Sequence, residues 1–268
     1  DHKNYVRGRK KKSSGKTGMI AAIIAIVVVA VGAGIGFYVH TSNQEKKTAA
    51  AEKAKKADPE ETQESYEKLK EQVAVDADDP MFRKIDFVAA QAINPDVYAW
   101  IWIPGTDIDY PILQSATEED AYYLNHTIEK KEGLPGTIYT EKYNAKDFSD
   151  PVTIAYGHNM KDGSMFAGLK KYREKSFYLE NPAVWIFYQG KWKGCPIFSC
   201  QIRSENDAGA YKTNLLMEEW AGYLQEMKES SIYDTGITPE GNEKLVTLST
   251  CINRKERLII QALLSGGS

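Results

Sequence analysis

The chain has 268 residues, 42% hydrophobic and 26% charged, an ordinary composition for one globular domain of about 150–200 residues with appendages. Its net charge of −3 conceals an asymmetry: residues 1–16 carry seven Lys or Arg against Asp1, a net +6, so the remainder sums to −9. An acidic body behind a basic end argues against nucleic-acid binding by the domain. In chain order, the basic tail (1–17) comes first, and Gly18 to Val39 then run without a charge and rich in Ile, Val and Ala. A helix of about 20 such residues crosses a ~30 Å hydrocarbon core. The preceding Lys and Arg cluster places the N-terminus in the cytoplasm and everything beyond about residue 40 outside. The run is long for the core of a cleaved leader, and no Ala-x-Ala site ends it before Tyr38-Val39-His40. A single-pass anchor over 18–40 is therefore expected.

Residues 41–79 are rich in Ala, Lys, Glu and Gln. Asp58-Pro59-Glu60-Glu61 reads as a helix start, with Tyr66, Leu69 and Val73 as a thin apolar stripe. Two readings stay open here, a helical stalk that packs partly on the domain and a solvated spacer. Asp79-Pro80 predicts a helix to about Ile93, with Phe82, Ile85, Val88, Ala89 and Ala92 on its apolar face. The main domain is expected over 80–264, and residues 265–268 are set aside as an expression remnant. After Asn94-Pro95-Asp96 a run of strands begins: Val97–Ile103 and Ile108–Leu113 about a turn at Pro104–Asp107, then Tyr122–His126, Gly136–Tyr139 and Val152–Tyr156. Ser164–Tyr172 reads as a short helix. Ala183–Tyr188 and Trp192–Arg203 read as a hairpin about Gln189-Gly190-Lys191. Thr213–Ser230 is the one long helix of the domain, with Leu215, Leu216, Trp220, Tyr223, Leu224 and Met227 at helical spacing. Lys244–Cys251 and Arg257–Leu264 are two further neighbouring strands. The fold is mainly β with one inserted helix.

Three cysteines cannot all pair with one another. Cys195 and Cys200, five apart in one strand, would lie roughly 16 Å apart on opposite faces, too far for a disulfide, which needs Cα atoms within about 7 Å; both read as buried apolar side chains. Cys251 ends its strand near Arg257, which opens the next. A thiolate is the nucleophilic form of cysteine, and nearby positive charge favours it. A guanidinium also donates to a developing oxyanion. The plainer alternative is a buried cysteine beside a surface arginine. Neither Cys-x-x-Cys nor His-x-x-x-His is present, so no metal and no cofactor is expected.

The run Thr247-Leu248-Ser249-Thr250-Cys251 resembles the active-site signature of sortases, the membrane-anchored transpeptidases of Gram-positive bacteria, and Ser249 resembles class B. Ala155-Tyr156-Gly157-His158-Asn159 is similar to that family's histidine segment. Asn94–Ile101, Gly105–Pro111 and Tyr123-Leu124-Asn125-His126 also look like class B, so the resemblance runs from about residue 80 to 264. It implies a sortase-like closed β-barrel and a catalytic set of Cys251, His158 and Arg257, with Asn125, Tyr156 and Ser249 lining the cleft. His126 is the competitor for His158. Some class B relatives carry an acid two places after the nucleophile; Asn253 stands here, so a Cys–His–Asp triad finds no support. The Cys251–Arg257 loop is short, which leaves the reach of Arg257 for the structure to decide.

The expected activity is cleavage of a C-terminal sorting signal on secreted proteins. The acyl group would pass from a Cys251 thioester to an amine, supplied by a peptidoglycan precursor or a pilin lysine. The alternatives are a surface cysteine peptidase that gives the acyl group to water and a catalytically silent tethered binding module.

Overall fold

The computed structural model describes residues 59–75 and 83–264. The basic tail, the expected span over 18–40 and residues 265–268 lie outside them. Among the described residues no helix is long and apolar enough to cross a membrane.

Helix α1 (Pro59–Val73) leads into the short strands β1 (Ala74–Val75) and β2 (Lys84–Ile85), and helix α2 (Phe87–Ile93) follows. The barrel strands are β3 (Val97–Trp102), β4 (Asp109–Leu113), β5 (Ile138–Thr140), β6 (Val152–Tyr156), β7 (Ala183–Tyr188), β8 (Lys191–Ser204), β9 (Lys244–Cys251) and β10 (Glu256–Leu264). They close in the order β10-β8-β7-β3-β4-β5-β6-β9, so none of the eight is left with an unpaired edge. The short helix α3 (Lys175–Glu180) lies before β7, and helix α4 (Met217–Glu229) is inserted between β8 and β9. The expected mainly β closed barrel with N-terminal helices and one long inserted helix is what forms.

Alternation with period two sorts the strands into an inner and an outer face. Val246 and Leu248 of β9 and Leu258, Ile260, Ala262 and Leu264 of β10 fill the barrel core. Their outward neighbours Leu245, Ile259 and Leu263, with Val152 and Ile154 of β6, pack beneath Trp220, Tyr223, Leu224 and Met227 of α4. α4 therefore covers one stretch of the outer face. It begins at Met217 rather than Thr213 because the Glu219 carboxylate accepts the Leu216 N–H at 2.9 Å. Leu216 is consequently 61% exposed and off the buried stripe.

Several expectations need correction. The helix expected from Asp79 begins only at Phe87: Lys84–Ile85 pair antiparallel with Ala74–Val75, and the Asp86 side chain caps α2 by accepting from Ala89 N. Ala90 is buried and Val88 is 82% exposed, so the expected apolar face was also misplaced. Tyr122–Leu124 form a 3-10 turn rather than a strand, and 3-10 turns run from Phe166 to Arg173 before α3. Cys195 and Cys200 are free and buried as expected, but they do not face opposite sides. A register shift between Ile197 and Ser199 adds a residue to β8, turns Phe198 outward beneath α4, and leaves both thiols in the barrel core. Over its described part the 41–79 stretch is no solvated spacer, since Tyr66, Leu69 and Val73 are buried in the barrel's own core.

The entry to the barrel is pinned by one ion pair. Arg83 meets both carboxylate oxygens of Asp109 at 2.7 Å, Trp100 Nε1 donates to Asp109 at 2.7 Å, and the guanidinium lies 5.1 Å from the Trp192 ring centre. Removing one partner strands a largely desolvated charge. Asp109→Ala should therefore lower unfolding free energy by about 3–5 kcal/mol, read from urea denaturation of the variant against the parent.

Candidate active site

Three adjacent strands converge on one rim. β6 and β9 are parallel neighbours with Tyr156 level with Ser249, so residues two further along each strand, His158 and Cys251, leave the sheet at the same height and on the same outer face. β10 returns antiparallel, and Arg257 is the direct partner of Cys251. The short loop thus brings Arg257 alongside rather than out of reach. Cys251 is exposed while Ser249 is buried.

The stretch after β6 is stitched to the end of β9 residue by residue. Gly157 N donates to Ser249 O at 3.3 Å, Thr250 Oγ1 donates to Gly157 O at 2.7 Å, and Asn159 Nδ2 donates to Cys251 O at 2.8 Å. Phe166 N closes the far side by donating to His158 O at 2.9 Å. The ring of His158 is held as well: Nε2 lies 2.7 Å from Leu124 O. A carbonyl only accepts, so Nε2 carries a proton and, in the neutral ring, Nδ1 is the basic nitrogen.

His126 is occupied elsewhere. It stacks on Tyr122 with ring centres 3.8 Å apart, and its Nδ1 lies 2.8 Å from Tyr122 O within its own turn. Asn125 is exposed and adjoins Leu124, so this segment borders the site through a main-chain carbonyl that a search for side chains overlooks. Asn253 closes the β9–β10 hairpin: its Oδ1 accepts from Lys255 N at 2.8 Å and Glu256 N at 3.0 Å. An acid's place is taken by a turn former.

Arg257 donates to the carbonyls of Asn253 and Glu256, each at 3.3 Å, and its guanidinium lies 3.5 Å from the Glu205 carboxylate. Tyr156 stands in a row of tyrosines. Its hydroxyl meets Tyr143 at 2.9 Å, and its ring lies parallel to Tyr211 with centres 6.3 Å apart. The Tyr211 hydroxyl meets Ser249 Oγ at 2.8 Å. Burial raises the pKa of Tyr156 and Tyr211, so both remain neutral phenols that can donate or accept. Glu205 and Tyr211 come from the segment between β8 and α4, whose sequence has no periodicity to flag them. Only their place against Ser249 and Arg257 does so.

No family model matches the chain. It is 36% identical to the Sortase B of Listeria monocytogenes over 183 residues, which span 65% of this chain and 72% of that protein. The family is settled by that match. The chain belongs to the class B sortases. Solved structures agree: sortase B from Listeria monocytogenes superposes with a TM-score of 0.60 at 35% identity, over 67% of this chain and all of that one. Clostridium perfringens sortase B gives 0.62 at 30% identity, over 66% of this chain and 98% of that one. As a class B sortase the protein is a cysteine transpeptidase.

The environment separates the three thiols of this sortase. Burial pushes Cys195 and Cys200 up to about 12, so both are protonated at neutral pH and shielded, whereas Cys251 is exposed. Iodoacetamide at pH 7 should label Cys251 alone in the folded enzyme, with the other two at least about a hundredfold slower, as read by peptide mass mapping.

Proposed function

We propose that Cys251, His158 and Arg257 are the reacting set of this sortase and that its substrate is a C-terminal sorting signal on secreted proteins. The observation that carries this reading is the meeting of an exposed thiol, a tautomer-fixed imidazole and an arginine at one rim, through the β6–β9 and β9–β10 registers.

The Cys251 thiolate attacks the carbonyl carbon of the scissile peptide bond. The oxygen takes up the negative charge, and Arg257, on leaving Glu205, donates to it. Protonated His158 gives its Nδ1 proton to the leaving amine as the C–N bond breaks, and the acyl group stays on sulfur as a thioester. Neutral His158 then takes a proton from the incoming amine, which forms the new amide and releases the thiolate. Asn125, Tyr156 and Ser249, with Tyr211 beside them, form the cleft that holds the signal peptide. Membership in the class B family supports a signal of the Asn-Pro-x-Thr-Asn/Gly kind and an acceptor amine from a peptidoglycan precursor or a pilin lysine.

The enzyme is anchored by residues 18–40 with its basic N-terminus in the cytoplasm and its barrel outside the cell. The charge-free run and the Lys/Arg cluster before it support this placement.

Turnover of a panel of fluorogenic sorting peptides by the full chain tests the reading. Cys251→Ala should abolish cleavage with folding retained, and unchanged turnover would remove the thiol mechanism. Arg257→Lys, which keeps the charge and loses the fork, should lower kcat about tenfold to a thousandfold. An added amine should appear in the product as a new amide. A product that is the free acid whatever amine is supplied would identify a peptidase instead.

A further inference from the structure

We propose that Gly136, backed by Tyr66 of α1, is a positioning site for His158: together they aim the Leu124 carbonyl that fixes the imidazole. The proposal rests on the reading of His158 as the proton-transfer residue.

The Leu124 carbonyl accepts His158 Nε2–H at 2.7 Å and belongs to a three-residue 3-10 turn, so no regular ladder sets its direction. The segment 133–137 sets it instead. Thr137 N donates to Tyr123 O at 2.9 Å and Gly133 N donates to Asn125 O at 2.8 Å. The carbonyls on either side of residue 124 are thereby taken, and the one between them is left for the histidine.

Gly136 lies directly against this group. A Cβ at that position would stand 2.3 Å from Leu124 O and 2.8 Å from Tyr123 O, and φ is +65°. Glycine is required on both counts, since any side chain would strain the backbone and push the carbonyl away.

The back of the same glycine is held from α1. The Tyr66 hydroxyl donates to Gly136 O at 2.9 Å and sits 2.9 Å from Thr137 Oγ1, and Tyr66 is only 3% exposed. Burial raises its pKa, so it stays a donor. A continuous path thus runs from the helix that precedes the barrel, through Tyr66, Gly136 and Leu124, to the ring of His158. Loss of the carbonyl would release the ring and allow the neutral form to carry its proton on Nδ1, where it can no longer accept one from the incoming amine. Gly136 and Tyr66 touch neither substrate nor reacting atoms and act through the ring alone.

The test is nitrogen NMR of the full chain labelled with 15N-histidine, with the His158 signals assigned by their loss in His158→Gln. Sorting-peptide kinetics on the same samples accompany it. The parent should show the Nε2–H form of His158. Gly136→Ala should lose that signature and lower kcat by about tenfold to a hundredfold with KM little changed. Tyr66→Phe, which keeps the ring and removes one hydroxyl, should move the same signals in the same direction and lower kcat about threefold.

An unchanged His158 signature and unchanged kcat in Tyr66→Phe, with only Tm reduced, would overturn the link to α1. The same result in folded Gly136→Ala would overturn the proposal as a whole. If Gly136→Ala does not fold, Tyr66→Phe decides. Should His158→Gln keep parental turnover, the catalytic reading of His158 falls, while the tautomer signals still report on the positioning.

Discussion

The parallel pairing of β6 with β9 is the constraint from which the rest of the site follows. Two strands running the same way end at the same rim. With Tyr156 level with Ser249, the next outward-facing positions are the histidine and the cysteine. Neither residue needs a long loop to reach the other. The stitches from Gly157, Thr250 and Asn159 then make the relative height of the two a property of the sheet. Parallel neighbours need a long connection, and here it carries β7, β8 and α4, which complete the wall and cover the outer face.

The division of that outer face explains why the site is open where it is. α4 buries the apolar outward residues of β6, β9 and β10 at one end, and a polar layer lies next to it. Gln261 donates to Tyr223 and Thr247, while Arg203 holds Asp207 and Ser230. Buried polar groups of this kind are stable only when paired, and the Arg203 partners tie the 205–211 segment to the sheet. That segment delivers Tyr211 to Ser249 and Glu205 to Arg257. Next to Ser249 and Arg257, Cys251 is exposed.

Arg257 shows how a residue can be well placed in the backbone and differently engaged at its tip. Its Cα lies opposite that of Cys251, yet its guanidinium spends its donors on Glu205 and on the carbonyls of Asn253 and Glu256. Each of these contacts is at the surface, where an ion pair contributes little.

Much of this protein was legible in its residues alone. Lys244–Cys251 and Arg257–Leu264 announced themselves as apolar, strand-like runs, and Gln189-Gly190 as a hairpin turn, where both φ are positive. The stripe Trp220, Tyr223, Leu224 and Met227 announced a helix that buries one face. Such signals are local, set by neighbours a few residues apart. What lay beyond them was decided by contacts distant in sequence. Only the folded chain could place Ile85 in a short strand, turn Phe198 outward through a bulge, and dock Tyr66 in the barrel core. Only the fold, too, could bring Glu205 and Tyr211 to the rim and aim the Leu124 carbonyl at His158. A main-chain oxygen has the same identity at every position, and its role comes solely from where tertiary structure points it.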